Sequence, residues 1–222
     1  MKYQFNEQEL LSLFYDKDDI RPSMSAPYLK NGYVCATESH ILIRIKAETL
    51  NGEYKEVDGL NLTLPRYNCN FTISLQDIKT ALANIPQVEE VKRFGGNVIC
   101  QECNGEGEVE WEYRDKRGHY YYDYFECPAC NGSGYLDAPT SIKTGKKIPD
   151  LDSPIRVRNE PIRAAFIEIL GKAMEIIGVD KVWCVHQASR KPVIFRVDDN
   201  IEIAIMPVVA ESVYLIHGRD VK

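Results

Sequence analysis

The feature that most constrains this chain is a phrase that occurs twice between Cys100 and Gly134. Cys100-Gln101-Glu102-Cys103-Asn104-Gly105-Glu106-Gly107 is answered by Cys127-Pro128-Ala129-Cys130-Asn131-Gly132-Ser133-Gly134, with 23 residues between Cys103 and Cys127. Each copy offers two thiols on a tight turn, half of a tetrahedral shell, and two copies complete a site for one metal ion. Zinc is the expected occupant, with a redox pair or disulfides as the alternatives. Four thiolates leave no open coordination position, so one zinc ion held by Cys100, Cys103, Cys127 and Cys130 is structural and not catalytic. The glycines after each pair allow the chain to turn back with backbone N–H groups aimed at sulfur.

The rest of the composition sets the background. A chain of 222 residues suits one or two domains with a sizeable core. Its net charge of −6 argues against a surface that coats nucleic acid generally, while leaving room for a local basic patch. The sequence opens with no basic-then-apolar leader, and no apolar run approaches the ~20 residues that cross a bilayer. A cytoplasmic protein with no membrane partner is therefore expected. Cys35, Cys69 and Cys184 stand singly in apolar or strand-like runs and read as small core residues.

Along the chain, residues 6–15 read as a capped helix with Asn6 at its N-cap and Leu10, Leu13 and Phe14 as its apolar stripe. Strands follow at Ser25 to Leu29, Tyr33 to Ala36 and Ile41 to Ile45, the first two joined by an Asn31-Gly32 turn. A short strand at Leu60 to Leu64 and a helix from Ser74 to Pro86 come next. Val88 to Ile99 reads as a hairpin. Leu136 to Pro154 reads as an exposed return linker whose lysines, Lys143, Lys146 and Lys147, are either solvated or in contact with nucleic acid. Ile155 to Val157 is strand-like. Asn159-Glu160-Pro161 starts the longest helix, ended by Gly178, and strands at Lys181 to Val185, Pro192 to Val197 and Ile201 to Met206 complete the order. Residues 155–209 thus repeat the helix-then-three-strands order of the first unit. The expected fold is α+β, a discontinuous body (1–99 and 136–222) of repeated helix/three-strand units carrying a four-cysteine zinc β-hairpin insert (100–135).

Between the cysteine pairs, Glu108 to Arg114 and His119 to Glu126 are alternating aromatic runs around a turn, a second hairpin. Trp111, Arg114, Lys116, Arg117 and Tyr121 are its candidate contact residues. Aromatics interleaved with cations stack bases and hold phosphates. The acids Glu108, Glu110, Glu112, Asp115, Asp123 and Glu126 dilute that charge, so nucleic-acid contact, protein contact and simple packing all stay open. The four histidines are scattered, and neither a His-Glu-x-x-His run nor a nucleophile elbow occurs. Thr144-Gly145-Lys146-Lys147 lacks the upstream glycine and hydroxyl of a phosphate loop. A non-enzyme is expected.

Two resemblances add to this reading. Arg21-Pro22, the run Ala36-Thr37-Glu38-Ser39-His40-Ile41-Leu42, the passage Leu64-Pro65-Arg66-Tyr67 and the ending Ile203-Ala204-Ile205-Met206-Pro207-Val208 resemble the bacterial DNA polymerase III beta sliding clamp. The clamp has Ala-Thr-Asp-Gly-His-Arg-Leu, Phe-Pro-Asp-Tyr and Val-Met-Pro-Met at these points, so Glu38, Ser39 and Ile41 depart from it. The resemblance implies a clamp-type groove for a partner's short peptide, formed by Thr37, Ser39, His40, Leu42, Ala204, Met206 and Pro207. On the residues alone these are equally ordinary strand-end and core positions. Separately, Cys-x-x-Cys-x-Gly-x-Gly is similar to the repeat of the DnaJ-type zinc finger, here in two copies and without a His-Pro-Asp helix. Together the readings imply a non-enzymatic, clamp-like accessory protein of DNA metabolism that binds DNA, a protein partner, or both. The alternative is a zinc-finger protein-binding module, chaperone-like or adaptor, with no DNA role.

Overall fold

Ile41, Ile43 and Ile45 alternate with Leu42, Arg44 and Lys46, and a strand with that pattern must turn its isoleucines to one side. The structure, a computed structural model, describes residues 3–57, 64–65, 67–137, 140–209, 214–216 and 218–220. In it the three isoleucines lie in the main core, while Leu42 joins a smaller cluster on the opposite face. The chain forms two units, Met1–Gln87 with Pro149–Lys222, and Val88–Ile148.

The first unit opens with helices α1 (Glu7–Ser12) and α2 (Pro22–Ser25), strands β1 (Tyr28–Lys30), β2 (Tyr33–Thr37), β3 (Ile41–Lys46) and β4 (Phe71–Ser74), and helix α3 (Leu75–Ala83). Strands β5 (Gln87–Phe94), β6 (Asn97–Ile99), β7 (Glu108–Arg114), β8 (Tyr120–Glu126), β9 (Tyr135–Asp137) and β10 (Thr140–Pro149) follow. The chain then returns with β11 (Pro154–Val157), β12 (Glu160–Arg163), helix α4 (Ala164–Ile177), and β13 (Lys181–His186), β14 (Val193–Arg196), β15 (Ile201–Ile205), β16 (Tyr214–Ile216) and β17 (Arg219–Asp220).

An antiparallel sheet in the order β1-β2-β3-β15-β14-β13-β4-β17 forms the first unit's frame. Its centre is the β3·β15 ladder, with Ile43 opposite Ile203 and Ile45 opposite Ile201. Alternate residues of every central strand supply the main core: Val34 and Ala36, Ile41 to Ile45, Ile201 to Ile205, Val193 and Phe195, Val182 and Cys184, Phe71 and Ile73. Leu10, Leu11 and Phe14, Ile78 and Ala81, and Phe166, Ile167, Leu170, Ala173 and Met174 bring the three longer helices onto that core. The other face carries Tyr28, Cys35, Leu42, Val185, Ile194 and Ala204, with Val57 and Leu64 packed against them. A smaller sheet, β12-β11-β16, adds Ile155, Val157, Ile162 and Ile216 to the main core.

Local signals set the helix ends. The Asn6 side chain accepts from the Glu9 N–H, and Ser74 and Asp77 form a reciprocal capping box. Gly178 ends α4 in the left-handed conformation at φ 81°. The long helix nevertheless starts at Ala164, after Asn159 and Pro161. Glu160–Arg163 pairs antiparallel with Pro154–Val157, placing Ile162 opposite Ile155, so the residues expected to open the helix form a strand. Likewise Pro22–Ser25 is one helical turn, with Met24 and Ser25 N–H groups donating to the Arg21 carbonyl, and the strand begins only at Tyr28. β4, β16 and β17 have no counterpart in the sequence reading. Of the strand expected at Leu60 to Leu64, residues 60–63 lie outside the described residues.

The second unit is built from three two-stranded pairs, β5·β10, β6·β9 and β7·β8. It is wider than the 100–135 insert expected from the cysteines. Residues 88–99 do not fold back on themselves as a hairpin: β6 pairs with β9, Val98 opposite Leu136, and β5 pairs with β10. The segment read as a return linker is thus two strands. It looked like a linker because it is polar and stays exposed even when paired.

The central ladder concentrates the first unit's stability. Ile43→Ala should cost about 2–5 kcal/mol, the usual range for a fully buried aliphatic residue cut to Ala. A urea titration followed by far-UV circular dichroism should show the lowered midpoint, with bound metal unchanged.

Candidate metal centre and binding surfaces

Each cysteine pair folds into the same small turn. Within each, the Gly105 N–H donates to the Cys100 carbonyl at 3.2 Å and the Gly132 N–H to the Cys127 carbonyl at 3.3 Å. The turns are then laced crosswise, with the Cys100 N–H on the Gly134 carbonyl at 2.9 Å and the Cys127 N–H on the Gly107 carbonyl at 2.8 Å. Gly107 and Gly134 lie at φ 83° and 75°, and a Cβ on either would overlap the carbonyl oxygen of Gly132 or Gly105 in the opposite turn. These two positions require glycine both for conformation and for the closeness of the turns.

The four sulfurs meet where the turns meet. All four cysteines are buried, and their Sγ atoms lie within 4.8 Å of one another. Cys100 and Cys127 sulfurs are 3.9 Å apart and those of Cys103 and Cys130 3.7 Å, with no disulfide among the seven cysteines. A tetrahedral shell with metal–sulfur bonds of about 2.3 Å has sulfur–sulfur edges of about 3.8 Å, so the spacing fits a four-thiolate metal shell. The backbone supplies the outer contacts: the Gly107 N–H donates to Cys103 Sγ at 3.3 Å and the Gly134 N–H to Cys130 Sγ at 3.2 Å. Burial works to raise the Cys103 thiol, but the N–H groups of Gly107 and Gly105 and the neighbouring cysteines outweigh it and bring it down to about 7. Burial pushes Cys127 up to about 11. A cation held at the centre would favour deprotonation of all four together.

From this base rises the β7·β8 hairpin, whose register pairs Glu108 with Glu126, Val109 with Phe125, Glu110 with Tyr124, Trp111 with Asp123, Glu112 with Tyr122, Tyr113 with Tyr121 and Arg114 with Tyr120. Facing residues share a side, so the hairpin has two unlike faces. One carries Val109, Trp111, Tyr113, Tyr121, Asp123 and Phe125, braced by the Trp111–Phe125 and Tyr113–Tyr121 ring contacts at 6.2 and 6.4 Å. The other carries Glu108, Glu110, Glu112 and Arg114 beside Tyr120, Tyr122, Tyr124 and Glu126. Trp111 and Tyr121 each keep 57% of their surface in solvent. Of the expected contact residues, Arg114 lies over the Tyr120 ring at 5.1 Å, and Lys116 and Arg117 sit in the turn that Asp115 organises through the Arg117 and His119 N–H groups.

The residues expected to form a peptide groove end at neighbouring strands of the first unit. Leu42 is opposite both Thr37 and Ala204, and the Met206 N–H donates to the His40 carbonyl at 2.7 Å. Thr37 Oγ1 donates to the Ile41 carbonyl and accepts from the Ser39 N–H, which holds Ser39 at φ 83°. Leu42 and Ala204 are buried in the smaller cluster, whereas the His40 ring is exposed and stacks on Phe166 at 6.1 Å. Met206 and Pro207 line a cavity of about 430 Å³ with Arg156, Asn159, Pro161 and Arg190.

Sequence reasoning missed a polar group on the same sheet face. Arg44 and Glu202, opposite each other across β3·β15, form an ion pair with little exposure, and the Tyr67 hydroxyl donates to the Glu202 carboxylate. The signal was present: one acid in Ile201-Glu202-Ile203-Ala204-Ile205 and one base in Ile41-Leu42-Ile43-Arg44-Ile45 fall on matching positions of two apolar strands.

No protein-family model matches the sequence, and no curated protein is significantly similar to it. Among solved structures, the chain is similar to the DNA polymerase III subunit beta of Pseudomonas aeruginosa, with a TM-score of 0.42, 11% identity, and coverage of 89% of this chain and 61% of that one. The beta subunit of Caulobacter crescentus gives a TM-score of 0.42 and 11% identity over 91% and 65% of the two chains, and that of Streptococcus pyogenes 0.41 and 10% over 91% and 64%. The likeness is distant, and the chain spans less than two thirds of the length of these structures. No helix among the described residues is long and apolar enough to cross a membrane.

Metal removal should therefore act locally. Hydrogen exchange after chelation should accelerate across β7, β8 and the two cysteine turns while β3, β14 and β15 stay protected, and Gly134→Ala should reproduce that pattern without chelator.

Proposed function

We propose that this chain is a non-enzymatic accessory protein of DNA metabolism with a clamp-like body. A single structural zinc ion at Cys100, Cys103, Cys127 and Cys130 mounts its β7·β8 hairpin as an arm for protein contact. The cysteine–glycine turns are those of a DnaJ-type finger reduced to one metal, and the protein works in the cytoplasm. Zinc is the metal that suits an all-thiolate tetrahedral shell with no open position. Such a shell supports a scaffold and offers no seat for a substrate.

The observation that carries the clamp-like reading is the meeting of two segments far apart in sequence. Thr37 to Leu42 and Ala204 to Pro207, the two stretches that resemble the clamp's peptide groove, lie side by side through the Leu42–Ala204 pair and the Met206–His40 hydrogen bond. An extended peptide could use the exposed His40 edge and the apolar Met206–Pro207 wall.

Charge supports protein contact over DNA contact. The helices α1, α3 and α4 carry Lys79 and Lys172 against Glu7, Glu9, Asp77, Glu168 and Glu175, and both lysines are paired, Lys79 with Glu175 at 2.6 Å and Lys172 with Glu168 at 3.1 Å. Phosphate binding needs a surplus of free cations on one face. The same feature favours the second reading, an adaptor with no DNA role. Crosslinking in cells followed by mass spectrometry separates the two. Recovery of replication or repair proteins, with crosslinks at the arm or at His40 and Met206, is expected. A partner set with no protein of DNA metabolism would overturn the first reading in favour of the adaptor.

A further inference from the structure

The glutamate–tyrosine face of the hairpin has a local precedent for its own ligand. At the Arg114–Tyr120 rung a guanidinium lies over a tyrosine ring, 5.1 Å from its centre. The next two rungs of this face towards the cysteine turns, Glu112–Tyr122 and Glu110–Tyr124, repeat the ring but set a glutamate opposite it where the first rung has the arginine. Tyr122 stacks one side of its ring on Tyr120 at 6.4 Å, so its other side and the Tyr124 ring each offer an aromatic face beside a counter-charge, a seat that a guanidinium fills by stacking and by donating hydrogen bonds to the carboxylate at once.

Spacing extends the argument. Glu108, Glu110 and Glu112 follow one another at two-residue steps of about 6.8 Å, which is also the step between same-side residues of an extended ligand. All three are exposed or nearly so, as are Tyr120, Tyr122 and Tyr124. None of Glu108, Glu110, Glu112 and Glu126 has an ion-pair partner among the described residues, and Glu108 lies directly opposite Glu126. Like charges facing each other across a ladder weaken it, and a cationic ligand would turn that penalty into attraction. The same carboxylates repel phosphates, so the face suits a basic polypeptide and not a nucleic acid.

We propose that this face of the hairpin, centred on Glu110, Glu112, Tyr122 and Tyr124, docks an extended segment of a partner protein that carries arginine at alternate positions. The assignment rests on the reading of the hairpin as a protein-contact arm and names the chemistry of what it takes.

Fluorescence anisotropy with the full-length, zinc-loaded chain and a labelled peptide of alternating arginine and threonine tests it. Saturable binding that weakens with added salt is expected, and the same peptide with glutamate for arginine should not bind. E110Q/E112Q and Y122S/Y124S should each bind at least about tenfold more weakly, with zinc content unchanged. D123N, on the opposite face, should bind as the parent does. Without peptide, E110Q/E112Q should melt the arm at a temperature no lower than the parent, because it removes two like charges from the face that Glu108 and Glu126 share. Equal peptide binding by parent and E110Q/E112Q would overturn the proposal. So would an oligonucleotide that binds the arm more tightly than the peptide. A light-scattering dimer dissolved by E110Q/E112Q would overturn it as well, by giving the face to a second copy of this chain. If the peptide fails while arm crosslinks to a partner persist in cells, only the ligand chemistry falls and the functional reading stands. If the arm crosslinks vanish too, the protein-contact reading falls with it.

Discussion

Four buried cysteine sulfurs brought together by two turns, a set that could share one cation, are the constraint on which the second unit depends. Two-stranded ribbons are marginal in water because neither face buries enough surface to offset chain entropy. The residues of β7 and β8 are almost all exposed, so packing does not account for their order. A four-thiolate zinc shell in a small module contributes on the order of 10–16 kcal/mol of apparent binding free energy, and that free energy is released only when the two turns come together. The crosswise hydrogen bonds between the turns, and the glycines that let them approach, would convert metal binding into a fixed base for the hairpin. The aromatic contacts of the Trp111 face extend that order outward, each contributing a fraction of what a bound metal would.

The first unit is held by different physics. Its eight-stranded sheet buries one continuous set of alternate residues against helices and a small second sheet. Its opposite face is less completely apolar, and the Arg44–Glu202 pair with Tyr67 sits there. A buried ion pair of this kind does little for net stability, since desolvation offsets attraction, but losing one partner strands the other. It spans β3 and β15 in the same register that sets Leu42 against Ala204 and His40 beside Met206.

What could be read from the sequence was what is local. The doubled Cys-x-x-Cys, the Asn6 and Ser74 caps, the Gly178 stop and the period-two runs of β3, β14 and β15 each carry their signal within a few residues. What could not be read depends on a partner far along the chain. β5 was legible as a strand but not its pairing with β10, and β10 itself, which shows none of the alternation that burial imposes, read as a linker. Glu160 to Arg163 has a helix-like start in Pro161 and Ile162, yet the neighbouring Pro154–Val157 strand captures it, a tertiary preference that outweighs the local one. Both faces of the hairpin were legible as composition, but the division into an aromatic side and a glutamate–tyrosine side needed the register. That division is what the proposal of a basic polypeptide ligand rests on.

The central claim is that all four cysteines bind one zinc ion. X-ray absorption at the zinc edge on protein purified without added metal tests it most directly. The account predicts one zinc per chain with a single shell of four sulfurs at about 2.3 Å. A shell containing nitrogen or oxygen ligands, or metal-free protein with Cys100, Cys103, Cys127 and Cys130 joined in disulfides, would contradict it.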